Sequence, residues 1–316
     1  MINIQKLESQ TETLFQALNE FGFFYIKNHG VSQENIKELK KISYQFFNES
    51  EEFKQQISMN KSGTAWRGYF SLGTELTSGY PDQKEGIYFG QENEQNGLPL
   101  HGKNLWPKDV RYKRFKNIVT QHMSEMKQLG EIILSTIAVS LGLPNNYFSQ
   151  RFSNDPTTLF RIFNYPKVES KGDWGVQEHT DMGFLTILMQ DECSGLEVKK
   201  IDGTWFEAPP IKDTLIINIG DMLELWTGGI FRATPHRVKN TENQNRLSFP
   251  YFYDPNWETN LAPIPEKLLS EEVLKFRKSS FKRAWDGIDL SQLSQDLTYG
   301  EFVWDKVRKV FPHIKS

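Results

Sequence analysis

Cysteine is almost absent from this chain. A single Cys193 among 316 residues excludes an intramolecular disulfide and fits a reducing, cytoplasmic setting. Long apolar runs are also missing: no stretch approaches the roughly 18 apolar residues of a membrane span, and MINIQKLESQTETLFQALNEFG lacks the basic start and apolar core of a secretory signal. Charge of one sign is not in excess either. Thirty-seven Lys and Arg against 40 Asp and Glu give a formal charge of −3, which argues against nucleic-acid or anionic-membrane partners. No repeat, low-complexity tract, coiled-coil pattern or exposed apolar stripe stands out. A soluble monomer acting on a small molecule is therefore expected. Aromatics, by contrast, are plentiful at 13%, with 23 Phe and 8 Trp, enough for a substantial core.

The first half reads as helices around short strands. In residues 9–23, Leu14, Leu18 and Phe21 recur at helical steps, with Gly22 as the stop. FFYIKN (23–28) reads as a strand. Residues 32–48 start on a Ser cap and carry Ile36, Leu39, Ile42, Phe46 and Phe47 on a helical period. Residues 109–142 form a long helical stretch ended by Gly142. Between these helices, residues 64–107 are rich in Gly, Pro and aromatics and too long for a turn, which suggests a lid or binding loop rather than a solvated insertion.

From residue 157 the texture changes. TTLFRIFNYP, FLTILMQ, LEVKKI, TWFEAPP, TLIINIG, MLELWTGG, ATPHRVK and RLSFPYFYDP are short β-rich runs separated by Gly, Pro, Asp and Asn. Such spacing predicts a β sandwich or closed barrel, here a mainly β core with flanking α. The division expected is an N-terminal helical and loop region over 1–150 that is not independent, a core over 151–260, and a C-terminal helical extension over 261–316 with its helix at 270–285.

In QEHTDMGFLTILMQD (177–191), His179 and Asp181 are two residues apart, so on a strand both side chains share one face. An imidazole and a carboxylate side by side form a two-point clamp for a divalent metal. Of the chain's six histidines, only His236 also lies in a β-like run of the second half. Two His and one Asp match the facial triad of non-haem Fe(II) oxygenases, whereas zinc more often takes three His or His with Cys. An isolated HxD on a strand is, however, commonly just polar surface. Arg246 and Ser248 form a second i, i+2 pair. If they face inward, the guanidinium needs an anion, which is either an internal carboxylate or a dicarboxylate co-substrate held bidentately with help from the serine.

FRIFNYP, HTDMGFLTILMQDECSGLEV, DGTWFEAPP, IINIGDMLELWTGG, TPHRV and RLSFPYFYDP, preceded by FGFFYIKNHGV, together resemble the iron(II)- and 2-oxoglutarate-dependent dioxygenases, in particular the group similar to isopenicillin N synthase. The resemblance spans most of residues 12–260 and implies a double-stranded β-helix (jelly-roll) core. It implies Fe(II) on His179, Asp181 and His236, and 2-oxoglutarate on Arg246 and Ser248 with Tyr165 beside it; Arg161, four residues before Tyr165, is a further candidate for co-substrate or substrate. It also implies hydroxylation or desaturation of a C–H bond with O2, releasing succinate and CO2.

Family members place substrate between the barrel mouth and the N-terminal loops. Here that implicates Trp66, Arg67, Tyr69, Phe70, Asp82 and Glu85, with Tyr251 and Tyr253 at the mouth. The competing reading is that Arg67 and Glu85 pair with one another and the aromatics only pack the loop. Two functional alternatives stand beside the main one: an Fe(II)/O2 oxidase of the same fold that does not use 2-oxoglutarate, and a non-catalytic metal-binding barrel. An acid and a base in the pocket suit an amino-acid derivative, and the aromatics suit a ring.

Overall fold

A computed structural model describes residues 1–92, 97–167, 174–240, 244–283 and 288–311. In chain order the strands are β1 Ile2–Asn3, β2 Phe23–Lys27, β3 Gly68–Phe70, β4 Leu76–Thr77, β5 Tyr80–Pro81, β6 Glu85–Gly90, β7 Thr157–Tyr165, β8 Trp174–His179, β9 Leu185–Gln190, β10 Leu196–Lys199, β11 Trp205–Glu207, β12 Thr214–Ile219, β13 His236–Lys239 and β14 Arg246–Asp254. The α-helices are α1 Thr11–Glu20, α2 Gln33–Phe47, α3 Glu51–Lys54, α4 Phe115–Ser140, α5 Tyr147–Arg151, α6 Asp221–Trp226, α7 Glu271–Leu274 and α8 Tyr299–Val310.

An eight-stranded sheet runs β1-β2-β12-β9-β14-β7-β6-β3, and a four-stranded sheet runs β11-β10-β13-β8. Together they form the jelly roll. Four strands of the large sheet come from the first ninety residues, so the N-terminal region extends the same sheet that carries the core. Along β14 the alternation is strict. Arg246, Ser248, Pro250, Phe252 and Asp254 line the interior cavity, while Tyr251 and Tyr253 are buried on the other face, where Gly130 of α4 packs against Tyr253. Pro250 sits inside this central strand. It pairs with Leu188 of β9, and the ladder to β7 has a gap at Phe249 and Pro250, where a proline has no N–H to give.

Most expected elements form. Ser32 caps α2 by accepting from the Asn35 amide. Two expectations need correction. MLELWTGG is the helix α6, not a strand: Met222, Leu223, Leu225 and Trp226 are all buried, so no amphipathic period shows, and Gly228 and Gly229 end it with positive φ. The segment 270–285 has one helical turn, α7, capped by Ser270, and residues 284 and 285 lie outside the described residues. The C-terminal helix is α8, opened by a capping box between Thr298 and Glu301. Tyr299 of α8 donates to Asp254 Oδ2 at 2.6 Å, and the Phe184 amide donates to Asp254 Oδ1 at 3.2 Å, so one buried carboxyl ties the C-terminal helix to the barrel. No helix among the described residues is long and apolar enough to cross a membrane.

Gly22 ends α1 with φ +60°, its N–H bonding the Ala17 and Leu18 carbonyls and its own carbonyl accepting from Ile219 of β12. A Cβ there would lie 1.7 Å from the Arg232 carbonyl oxygen. Gly22→Ala is expected to lower unfolding free energy by about 2–4 kcal/mol in chemical denaturation; a loss within error of zero would refute the tight junction. Burial, above all, pushes the Asp254 carboxyl up to about 7. Its folded value exceeds its unfolded one, so the native state holds a proton that the unfolded chain releases between pH 4 and 7. That contribution to stability is complete at low pH and lost as pH rises through 7, by about 1.4 kcal/mol per unit of pH inside the window. Wild type is therefore expected to lose stability relative to Asp254→Asn between pH 4 and 7. A difference that stays flat across that range would contradict a protonated Asp254.

Candidate metal centre and adjoining cavity

His179 is the last residue of β8 and His236 the first of β13, and the two are direct cross-strand partners. Their rings lie 4.3 Å apart. Asp181 is not on the strand with His179, as the spacing suggested, but in the turn that leaves it. It still arrives on the same side: Asp181 Oδ1 is 3.9 Å from His179 Nε2 and 3.8 Å from His236 Nε2. One ligand atom from each of the three residues falls within 4.8 Å of the others, as in a cluster that can hold one ion.

Each ligand is fixed from behind. His179 Nδ1 lies 2.8 Å from the Gln177 carbonyl and His236 Nδ1 lies 3.1 Å from that of Thr234, contacts that place the proton on Nδ1 and leave both Nε2 atoms as acceptors. Thr186 of β9 (2.5 Å) and Asn218 of β12 (2.8 Å) both donate to Asp181 Oδ2, which leaves Oδ1 for a metal. The turn itself is pinned to the start of α6: the Asp221 and Met222 amides donate to the Asp181 and Gly183 carbonyls at 2.8 and 3.1 Å. Thr180 points away from the cluster and donates to the Asp221 carboxylate, which is ion-paired with Arg283.

The protonation states suit a cation. Burial, and then the neighbouring His236, push the His179 imidazole down to about 4, so it is neutral. Burial opposes the Asp181 charge, yet the two imidazoles and the Asn218 and Thr186 hydrogen bonds hold its carboxyl below the ordinary range. Two imidazole nitrogens and one carboxylate oxygen on one side of an ion leave its other side open.

The triad opens on a cavity of about 390 Å3 between the two sheets. Arg246 and Ser248 face into it, with the Tyr165 ring 5.1 Å from the Arg246 guanidinium carbon. Arg246 is 1% exposed. Its Nε donates to the Cys193 carbonyl and its Nη2 to Gln190 Oε1, but Nη1 is buried without a partner, and no carboxylate among the described residues pairs with it. The internal Arg–carboxylate pair considered from sequence does not form. A buried guanidinium with one open donor, beside a serine and a tyrosine, fits one carboxylate of a bound dianion.

The other candidates divide. Arg161 lines the cavity. Arg67 does not: its Nη2 donates to the Leu100 carbonyl at 2.6 Å. Glu85 is bound by Lys54, Tyr69 and Asn164 at 2.6–2.8 Å, so it pairs with Lys54 and not with Arg67. Tyr69 and Phe70 are core residues, and Trp66 packs on the Arg161 guanidinium. Tyr251 and Tyr253 face α4, and Phe252 and Asp254 line the cavity in their stead. The period of two that joins Arg246 to Ser248 would have selected Phe252 and Asp254 from sequence. The long loop does reach the cavity, through Glu75, Thr77 and Lys84, with Asp82 behind Lys84 at 2.5 Å. No sequence pattern marks these, since which face of the loop turns inward depends on its packing against β7.

Comparison with known proteins agrees with this geometry. Residues 146–255 match the family model of the 2OG-Fe(II) oxygenase superfamily, and residues 2–109 match that of the N-terminal region of non-haem dioxygenases in morphine synthesis. A probable iron/ascorbate oxidoreductase from Dictyostelium discoideum is 42% identical over 95% of this chain and 88% of its own length. A homoarginine-6-hydroxylase from Glycine max is 36% identical over 79% of each chain. Among solved structures, a full-length Neurospora crassa protein in complex with alpha-KG and thymine superimposes with a TM-score of 0.78, at 26% identity and 96% coverage of both chains. A jelly roll with an open His-Asp-His cluster and an unpaired arginine in its cavity fits these matches: the chain belongs to the 2OG-Fe(II) oxygenase superfamily and is an iron(II)-, 2-oxoglutarate- and O2-dependent oxygenase of small molecules.

Proposed function

We propose that His179, Asp181 and His236 hold the iron, and that Arg246, Ser248 and Tyr165 hold the distal carboxylate of 2-oxoglutarate. The observation that carries the co-substrate assignment is the buried, unpartnered Nη1 of Arg246. When bound, iron and 2-oxoglutarate supply the oxidising chemistry, turning O2 and a substrate C–H bond into a hydroxylated or desaturated product with succinate and CO2. The chain's own residues orient and exclude. Asn218 and Thr186 aim Asp181, Gln190 and the Cys193 carbonyl aim Arg246, and Leu159, Phe163, Val176 and Phe252 give the cavity walls that keep water from the reacting centre. Hydrogen abstraction needs no protein base. We place the chain in the isopenicillin N synthase-like group on its motif order. A monomeric, cytoplasmic protein, with residues 1–150 and 261–316 packed on a 151–260 core, suits its lone buried cysteine and near-neutral charge. The relatives' names include homoarginine, an amino acid, so amino-acid derivatives are the first substrates to screen.

Anaerobic addition of Fe(II) and 2-oxoglutarate is expected to give a visible charge-transfer band, as the chelate requires open iron positions. Arg246→Leu leaves Gln190 and the co-substrate carboxylate unpaired. It is expected to cost roughly 2–4 kcal/mol, a 30- to 1,000-fold rise in the 2-oxoglutarate KM, with His179, Asp181 and His236 still binding iron. An unaltered KM would refute the anion site. Asn218→Leu removes one of the two donors that hold Asp181 Oδ2 and is expected to weaken Fe(II) binding about 10- to 100-fold in a metal titration. Unchanged affinity would show that Thr186 alone aims the carboxylate.

A further inference from the structure

A second guanidinium in the cavity makes no hydrogen bond to a described residue. Arg161 lies on the interior face of β7 with Leu159, Phe163 and Tyr165. Its side chain is 11% exposed, and its guanidinium carbon sits 4.8, 4.1 and 4.8 Å from the rings of Trp66, Tyr88 and Phe252. It makes no hydrogen bond to any described residue, and its Nε is buried with none. The nearest anion is Glu75 Oε1 at 3.9 Å, beyond hydrogen-bond reach. That carboxylate is already committed. It lies 2.9 Å from Lys84 Nζ and accepts the Tyr88 hydroxyl at 2.5 Å. Burial opposes its charge, but Lys84 and Arg161 hold it below the ordinary carboxylate range, so it stays an acceptor. Lys84 in turn has two carboxylates, Glu75 and Asp82. The rings stabilise the Arg161 charge but leave its in-plane N–H donors unused, and buried donors are seldom left so.

Position supports a ligand for those donors. Thr186, which aims Asp181, stands opposite Phe252, and Phe252 stands opposite Leu159. Arg161 is the next interior residue of β7 after Leu159. It is thus displaced from Thr186 by two strand-to-strand steps and one two-residue step along the strand, roughly 12 Å between backbones. Arg246 begins β14 and lies opposite Tyr165, four residues along β7 from Arg161, or roughly 13 Å. The two guanidiniums therefore serve different stretches of one cavity.

We propose that Arg161, flanked by the rings of Trp66, Tyr88 and Phe252, binds a carboxylate of the substrate, and that the enzyme accordingly oxidises small carboxylic acids. This rests on the assignment of Arg246 to 2-oxoglutarate. Arg161 is a binding residue for the ground state and a ruler for the site of oxidation; the three rings restrict its side chain, and its guanidinium can take a carboxylate bidentately.

The test uses the full chain with Fe(II) and 2-oxoglutarate, and follows both the anaerobic 2-oxoglutarate band and aerobic succinate release. Phenylacetate, hexanoate and L-homoarginine are each compared with their primary amides and with neutral thymine. At least one acid is expected to raise succinate release about tenfold above its amide. Arg161→Gln is expected to raise the KM of that acid about tenfold or more while its 2-oxoglutarate KM stays that of wild type, and Arg161→Lys recovers part of the loss. The proposal is overturned if an amide or thymine stimulates as strongly as the acids, if no acid stimulates a wild-type enzyme that shows the band, or if Arg161→Gln shifts the 2-oxoglutarate KM. Absence of the band in wild type is a different result: it removes the co-substrate assignment itself, and this proposal with it.

Discussion

The structure depends on one buried carboxylate being held half-open. Asp181 has two oxygens, and the fold occupies only one of them. Thr186 and Asn218, from adjacent strands of the large sheet, both donate to Oδ2, and Oδ1 is left facing two imidazoles from the small sheet. An anion this deep is tolerable only if something compensates it. The hydrogen bonds from Thr186 and Asn218 compensate it in part, and a divalent cation would complete the compensation. An ion held by the triad would join the two sheets, and everything that places Asp181 (the turn pinned to α6, the strand pair that sets His179 opposite His236) favours that single contact.

Away from the triad, the cavity works by leaving donors unsatisfied. Arg246 spends two of its nitrogens on Gln190 and a backbone carbonyl and keeps one. Arg161 hydrogen-bonds to none of the described residues, stands 3.9 Å from Glu75 and leans on aromatic faces. Other charges in and behind the wall are closed off: Lys84 by two acids, Glu85 by a lysine, a tyrosine and an asparagine. The contrast separates charges closed off inside the barrel wall from charges with donors to spare, and it does so without reference to sequence motifs.

Much of this is legible in the sequence where a period of two operates. His179 and Asp181, Arg246 and Ser248, and Arg161 and Tyr165 all follow from it. Tyr251 and Tyr253 fall on the opposite face from the cavity because the alternation that Arg246 sets outweighs their aromatic character. Asp181 itself sits two residues past the strand end, where the rule holds only because the turn is pinned to α6. That helix resembles a strand in sequence because it is buried on every side and so shows no amphipathic period. Glu75 and Lys84 are illegible for another reason: in a long loop no periodicity links neighbours to a face, and only tertiary packing decides which side chains turn inward. The C-terminal helix is easily misplaced because Ser-Glu-Glu at 270–272 caps a single turn as well as it caps a long helix, while the signal that does open α8 is the Thr298–Glu301 capping box.

The most direct measurement is iron-edge anomalous diffraction from crystals grown anaerobically with Fe(II) and 2-oxoglutarate. The account predicts one iron about 2.0–2.2 Å from His179 Nε2, His236 Nε2 and Asp181 Oδ1, with the far carboxylate of 2-oxoglutarate on Arg246 Nη1 and Ser248. Iron bound elsewhere, or 2-oxoglutarate seated on Arg161 with Arg246 Nη1 still unpaired, would contradict it.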